Sequence, residues 1–294
     1  MEQTKMTNSD MHTRAMLVSL RISAWSARKY DRKVSQETAT AHNTTIDAGR
    51  YNKCLLPGDA PAYKALVSHI ADLRVKHYAQ TLAWSDDGWR ILPVKNYQPY
   101  TDMVRAGMHT ADSLLADFAR DYPALQEQAR VILNGMYSDT DYPSDVRSRY
   151  AWSVEYAPVP CGTDFRVTLA AGEIEAIAAR TEQRVKQAFS EAQQDAVQRL
   201  YDTVSKIQGK LADPAGIFRD SLIGNARELC DILTRLNLAD DTKLEALRRQ
   251  TELLAASEPQ TIRDNPAVRV DVATEAQAIL DAMTATYGNL YGGK

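Results

Sequence analysis

Between Glu173 and Gln208 the chain runs for 36 residues without a glycine or a proline. Within that stretch Ile174, Ile177, Thr181, Val185, Phe189, Ala192, Ala196, Leu200, Val204 and Ile207 recur at steps of three or four. Such spacing gathers them on one side of an α-helix. The stretch therefore predicts one amphipathic helix of ~54 Å at ~1.5 Å per residue, and its apolar stripe needs a helical partner. Gly209 is its expected end. The next helix is expected from Asp213-Pro214 to about Leu238, carrying Ile217, Phe218, Leu222, Ala226, Leu229, Ile232, Leu233 and Leu236. Another follows, capped by Asp240-Asp241, with Leu244, Leu247, Thr251 and Leu254. These two together match the long helix in length, so they are expected to fold back along it as a broken antiparallel partner. A last helix is expected from about Asp271 to Tyr287.

The residues before this region have another character. Ten of the 14 tyrosines lie between Tyr51 and Tyr156, and all four tryptophans precede residue 153. Met16, Val18, Leu20, Ile22 and Ala24 alternate with other residues, the period of a strand with one buried face. A basic patch and a short helix to about His42 follow. A helix is expected from Pro61, capped by Asp59, to about Thr81, with Tyr63, Leu66, Val67, Ile70, Leu73, His77 and Tyr78 on one face. Ser85-Asp86-Asp87-Gly88 between two tryptophan-bearing apolar runs reads as a hairpin turn. Helices are expected over Pro99–Arg120 and from Pro123 to Asn134-Gly135, where the asparagine and glycine form a cap. Tyr142-Pro143-Ser144-Asp145 opens a short helical turn. A second hairpin is expected from the alternation of Trp152, Val154 and Tyr156, then of Phe165, Val167 and Leu169.

The expected fold class is mainly α (α+β). An aromatic-rich N-terminal half holds a small antiparallel sheet and helices; the C-terminal half is a long-helix antiparallel, coiled-coil-like bundle. The expected organisation is a disordered leader at 1–12, an α+β domain at 13–170, a helical domain at 171–288 and a flexible tail at 289–294. Cys54, Cys161 and Cys230 are odd in number and widely spaced, which fits reduced thiols in a cytoplasmic chain. No signal core or apolar stretch of membrane-spanning length is evident.

The chain lacks the phosphate-cradling, dinucleotide, zinc-protease, nucleophile-elbow and EF-hand motifs, so no catalytic, cofactor or metal residues are assigned. His69 and His77 lie two helical turns apart, ~12 Å, too far to share one metal ion. The carboxylate pairs Asp86/Asp87, Asp139/Asp141, Glu173/Glu175 and Asp240/Asp241 read as turn and helix-start residues. A formal net charge of -3 argues against the whole chain as a polyanion binder, but not against a local patch. Residues 1–33 carry seven Lys/Arg against three Asp/Glu. There Arg28, Lys29, Tyr30, Arg32 and Lys33, near Trp25, could hold phosphates and stack a base. Trp84 and Trp89, flanking the turn, could form a ridge for a protein partner.

Three stretches carry a resemblance. They are Leu17-Val18-Ser19-Leu20-Arg21-Ile22-Ser23-Ala24-Trp25 with Arg28-Lys29-Tyr30-Asp31; Leu82-Ala83-Trp84-Ser85-Asp86-Asp87-Gly88-Trp89-Arg90-Ile91-Leu92-Pro93; and Tyr142-Pro143-Ser144-Asp145-Val146-Arg147 leading to Asp164-Phe165-Arg166-Val167. Together they resemble a family of phage and prophage proteins of unknown function, often encoded near MoxR-type AAA+ ATPases and von Willebrand factor A proteins. The likeness covers about residues 13–170. It implies a phage source and the host-cell cytoplasm, and brings no catalytic residues. The leading expectation is a non-enzymatic accessory protein that assembles with itself or with an AAA+ ATPase through its helical half. The alternatives are a nucleic-acid-associated factor of phage replication or host takeover, a virion component, and an enzyme with an unrecognised site.

Overall fold

A computed structural model describes residues 8–84, 88–162, 171–214 and 216–288. In chain order the elements are α1 (Asn8–Arg14), β1 (Ala15–Ser23), β2 (Arg28–Tyr30), α2 (Arg32–Ala41), β3 (Asn52–Cys54), α3 (Pro61–Ala79), β4 (Leu82–Ala83), β5 (Arg90–Pro93), α4 (Tyr97–Leu133), β6 (Ala151–Pro158), α5 (Ala171–Leu211), α6 (Ser221–Leu236), α7 (Thr242–Leu254), α8 (Pro259–Asp264) and α9 (Pro266–Tyr287). The protein is mainly α with a small antiparallel sheet in the order β4-β5-β1-β6 and a separate two-stranded ribbon, β2-β3. Two compact units emerge, interleaved along the chain. Among the described residues, the first comprises 8–19, 77–100 and 155–288; the second comprises 20–76 and 101–154. The helical stretch from 171 thus shares its unit with two earlier segments.

The first unit is organised on α5, 41 residues long. Val185, Phe189, Ala192, Ala196, Leu200, Val204, Ile207 and Leu211 form its buried stripe. It packs along α9 and α6, while α7 closes on both of those helices. Val272, Ala276, Ile279 and Met283 of α9 and Ile223, Ala226, Cys230 and Leu233 of α6 complete the core. Burying each large aliphatic side chain contributes about 1.5–3 kcal/mol. Met11, Ala15, Leu17, Leu82 and Ile91 belong to the same core. The expected hairpin is present, pairing Leu82 with Ile91 and Ala83 with Arg90, and Gly88 takes φ +88°. Residues 85–87 lie outside the described residues, as do 1–7, the expected strand at Phe165–Leu169 and the tail 289–294.

Several boundaries differ from the sequence reading, each for a local reason. Part of the expected leader is helical, because α1 buries Met11. The long helix passes through Gly209 to Leu211, and Asp213-Pro214 starts no helix. There the buried guanidinium of Arg269 donates to the carbonyls of Lys210, Leu211, Asp213 and Gly216, at 2.6–3.2 Å. With the last carbonyls of α5 and the following turn satisfied together, the chain can leave helical geometry. Ile217 is consequently 91% exposed rather than inward, and α6 begins only at Ser221. The final helix starts at Pro266, earlier than expected, with the Asn265 side chain accepting from Ala267 N–H and Val268 N–H. Asp241 caps α7 in the expected way, accepting from Lys243 N–H and Leu244 N–H.

In the second unit the two helices expected around Pro123 are one. Proline removes one backbone hydrogen bond and crowds the preceding turn, at a cost of about 3 kcal/mol. Phe118, Tyr122, Leu125 and Ala129 nevertheless stay in step across it, all buried. The helix ends at Leu133, with Asn134 at φ +44°, as the Asn-Gly pair predicts. On α3, Leu66, Ile70 and Leu73 are buried, but Val67, placed on that face by the periodicity, is 40% exposed. Further along, in the first unit, α3 buries His77 and leaves Tyr78 exposed. Phe118 sits among Tyr63, Tyr122 and Tyr150, with ring centroids 5.3, 5.8 and 6.3 Å away. Lys53 is buried, donating to Met136 O at 2.6 Å and pairing with Asp141 at 2.8 Å and Asp31 at 3.6 Å.

Candidate nucleic-acid interface

The second unit contains an open groove of about 630 Å³. One wall is the chain from Ala24 to Arg28, between β1 and β2. The other is an α3 stripe of Tyr63, Lys64, Val67, Ile70, Ala71 and Arg74, with Leu56 to Gly58 and Cys54 at the end. The stripe positions recur as i, i+1, i+4, i+7, i+8 and i+11, so the helical period itself presents them together. Ala27 lies in the left-handed region at φ +51°, and its carbonyl accepts from Leu55 N–H at 2.8 Å. Arg74 donates to Ile22 O at 3.1 Å and the Tyr63 hydroxyl to Trp25 O at 3.5 Å, fastening this wall to α3.

The lining combines aromatic and apolar surface with cations. Trp25 and Tyr63 are half-buried; Arg28, Lys64 and Arg74 are exposed. Among the described residues, no carboxylate lines the groove. Burial raises the pKa of the Tyr63 phenol, opposed by the nearby charge of Arg28, which favours phenolate. Across residues 20–76 there are ten Lys/Arg against five Asp/Glu, in a chain of net charge -3. Among the described residues, none of Arg28, Lys29, Arg32, Lys33, Arg50, Lys64 and Arg74 has a carboxylate within ion-pair distance. Unpaired cations around an apolar concavity create positive potential suited to an anion carrying a flat apolar group.

The expected basic patch divides. Arg28 lines the groove; Lys29 and Tyr30 continue along β2, and Arg32 and Lys33 open α2, all exposed. The ribbon pairs Arg28 with Cys54, Lys29 with Lys53 and Tyr30 with Asn52. Strand alternation places Arg28, Tyr30 and Cys54 on one face and Lys29 on the other. The Arg50 guanidinium stands 5.8 Å from the Tyr30 ring centroid. Lys64 and Arg74 are not evident as site residues from the sequence, because the periodicity of α3 displays its apolar face and not the cations flanking it. Trp84 and Trp89 are both half-buried against the core of the first unit.

Other titratable groups serve packing. His69 Nε2 meets Gly107 O at 2.8 Å. His77 Nδ1 lies 2.8 Å from the Tyr100 hydroxyl; burial, with Arg90 nearby, lowers its pKa to about 4. The Arg199 guanidinium donates to the carbonyls of Ala79 and Thr81 and pairs with Asp195, closing the end of α3. Asp240, with φ +50°, pairs with Lys95 and Arg14; its hydrogen bond from Lys95 is the chief cause of its lowered pKa. Among the described residues no three His, Cys, Asp or Glu side chains gather as a metal site, and no helix is long and apolar enough to cross a membrane. Comparison with protein-family models, curated proteins and solved structures finds no match to this chain.

Proposed function

We propose that the protein is a nucleic-acid-associated accessory factor, non-enzymatic, that binds through the groove of its second unit. The observation that carries this reading is the set of unpaired cations, Arg28, Lys64 and Arg74, around a lining that includes Trp25 and Tyr63. The resemblance to phage and prophage proteins supports a role in replication or host takeover. Binding is tested by fluorescence anisotropy with labelled DNA at rising salt. Each phosphate contact on a single strand steepens log K against log salt by about 0.7. The triple variant Arg28→Ala/Lys64→Ala/Arg74→Ala is expected to flatten that slope by about 2 and weaken binding at least tenfold at low salt. Wild-type protein that binds no nucleic acid at low salt would sink the reading.

A second reading is supported by α5. Its residues 172–184 contribute no buried side chain, while Ile174, Ile177 and Thr181 remain half-exposed in a stripe. Such a stripe suits assembly with another protein, an AAA+ ATPase in the gene context that the resemblance implies. Nucleic-acid binding and assembly fall on different units and are compatible.

A further inference from the structure

The groove is concave, and more than half its lining is apolar or aromatic. A duplex presents phosphates outward and hides its base faces in the stack. A single strand exposes those faces, and stacking on aromatic side chains is the general way proteins hold them. Trp25, Tyr63, Val67, Ile70 and Leu56 form a lining that a duplex backbone would leave unused. The cations are spread along the groove. Lys64 and Arg74 are ten residues apart on α3, about 15 Å along its axis, a span longer than one nucleotide. Beyond Arg28, the same ribbon face offers Tyr30, two residues along the strand and 40% exposed, with Arg50 over its ring. Two residues of strand cover about 6.8 Å, which puts a second aromatic within reach of the neighbouring base.

We propose that the second unit binds single-stranded nucleic acid, with one base against Trp25 and Tyr63, phosphates on Arg28, Lys64 and Arg74, and the strand leaving across Tyr30 and Arg50. This rests on the nucleic-acid reading above and adds the class of strand and its path. A non-aromatic acidic peptide such as polyglutamate matches the cations but has no flat group for the aromatic surfaces.

The test uses the full chain at one low salt concentration with three probes: oligothymidylate of about 20 nucleotides, a duplex of equal length, and polyglutamate as competitor. Oligothymidylate is expected to bind at least tenfold tighter than the duplex and to quench tryptophan fluorescence. Tyr30→Ala, at an exposed site where folding is not at stake, is expected to weaken oligothymidylate binding about tenfold while changing duplex binding less than twofold, since stacking one base is worth ~1–3 kcal/mol. Arg50→Ala is expected to weaken it to a lesser degree. Equal or tighter duplex binding overturns the single-strand proposal and leaves the nucleic-acid reading standing. Absence of binding to both DNA probes overturns both. Displacement by polyglutamate as effective as by unlabelled oligothymidylate, or a Tyr30→Ala variant that binds as wild type, overturns the proposed path.

Discussion

His77 shows how one side chain can tie the stability of the first unit to pH. The residue is 4% exposed, its ring is bonded to Tyr100, and its pKa falls to about 4 from the ordinary 6.5. Between those values the unfolded chain takes up a proton that the folded chain refuses. The stability is therefore fully present above pH 6.5 and is lost progressively as the pH falls towards 4, by about 3 kcal/mol. Urea titrations at pH 7.5 and pH 4.5 should show this loss, and His77→Gln should flatten it. An unchanged pH dependence in the variant would mean that His77 is not the group responsible. The sequence placed His77 on an apolar face but could not supply its partner, because Tyr100 is 23 residues away. Arg269 was invisible for the same reason: it sits among helix-forming residues, and the four carbonyls that it binds lie more than 50 residues earlier.

Elements were more legible than their ends. The period of α5, the cap of α7, the hairpin at Gly88 and the Asn-Gly stop of α4 follow from local chemistry, and local chemistry is what a sequence displays. Pro123 misled because its local penalty is outweighed by a buried stripe that the proline does not interrupt. The groove was half legible: Arg28 stood out in a basic run, whereas Lys64 and Arg74 become neighbours of Trp25 only through the α3 stripe and the turn at Ala27. The half-exposed start of α5 carries the prediction for this scale. Ile174→Asp/Ile177→Asp replaces two side chains outside the buried core, so the urea midpoint should move little. Capture of tagged protein from host cells should recover an AAA+ ATPase in stoichiometric amount with wild type, and not with the double variant. Recovery of no ATPase with either protein removes the assembly reading.

For the whole molecule, the interleaving of the units matters most. The first unit draws its core from three stretches, with Met11, Leu17, Leu82 and Ile91 packed in the same cluster as Leu200, Ile223 and Met283. A fragment of residues 171–294 lacks the early contributions, and Arg199 in it loses the carbonyls of Ala79 and Thr81. That fragment is expected to be helical by circular dichroism yet to unfold in urea over a broad, shallow transition. A transition as steep as that of the full chain would show that the helices close a core alone. The composition change near residue 170, which the sequence displays clearly, reflects helix-forming residues and not the limits of a compact unit.

Met11 and Met283 meet in one core although 272 residues separate them. A ribosome adding about 5–20 residues per second needs roughly 15–55 s to travel between them. During that interval α1, joined later by the hairpin, has its apolar face uncovered and waits for a surface not yet translated. The second unit, which holds the groove, has all its residues once Val154 is made. All the residues that line the groove are therefore present before α5 to α9 have been translated.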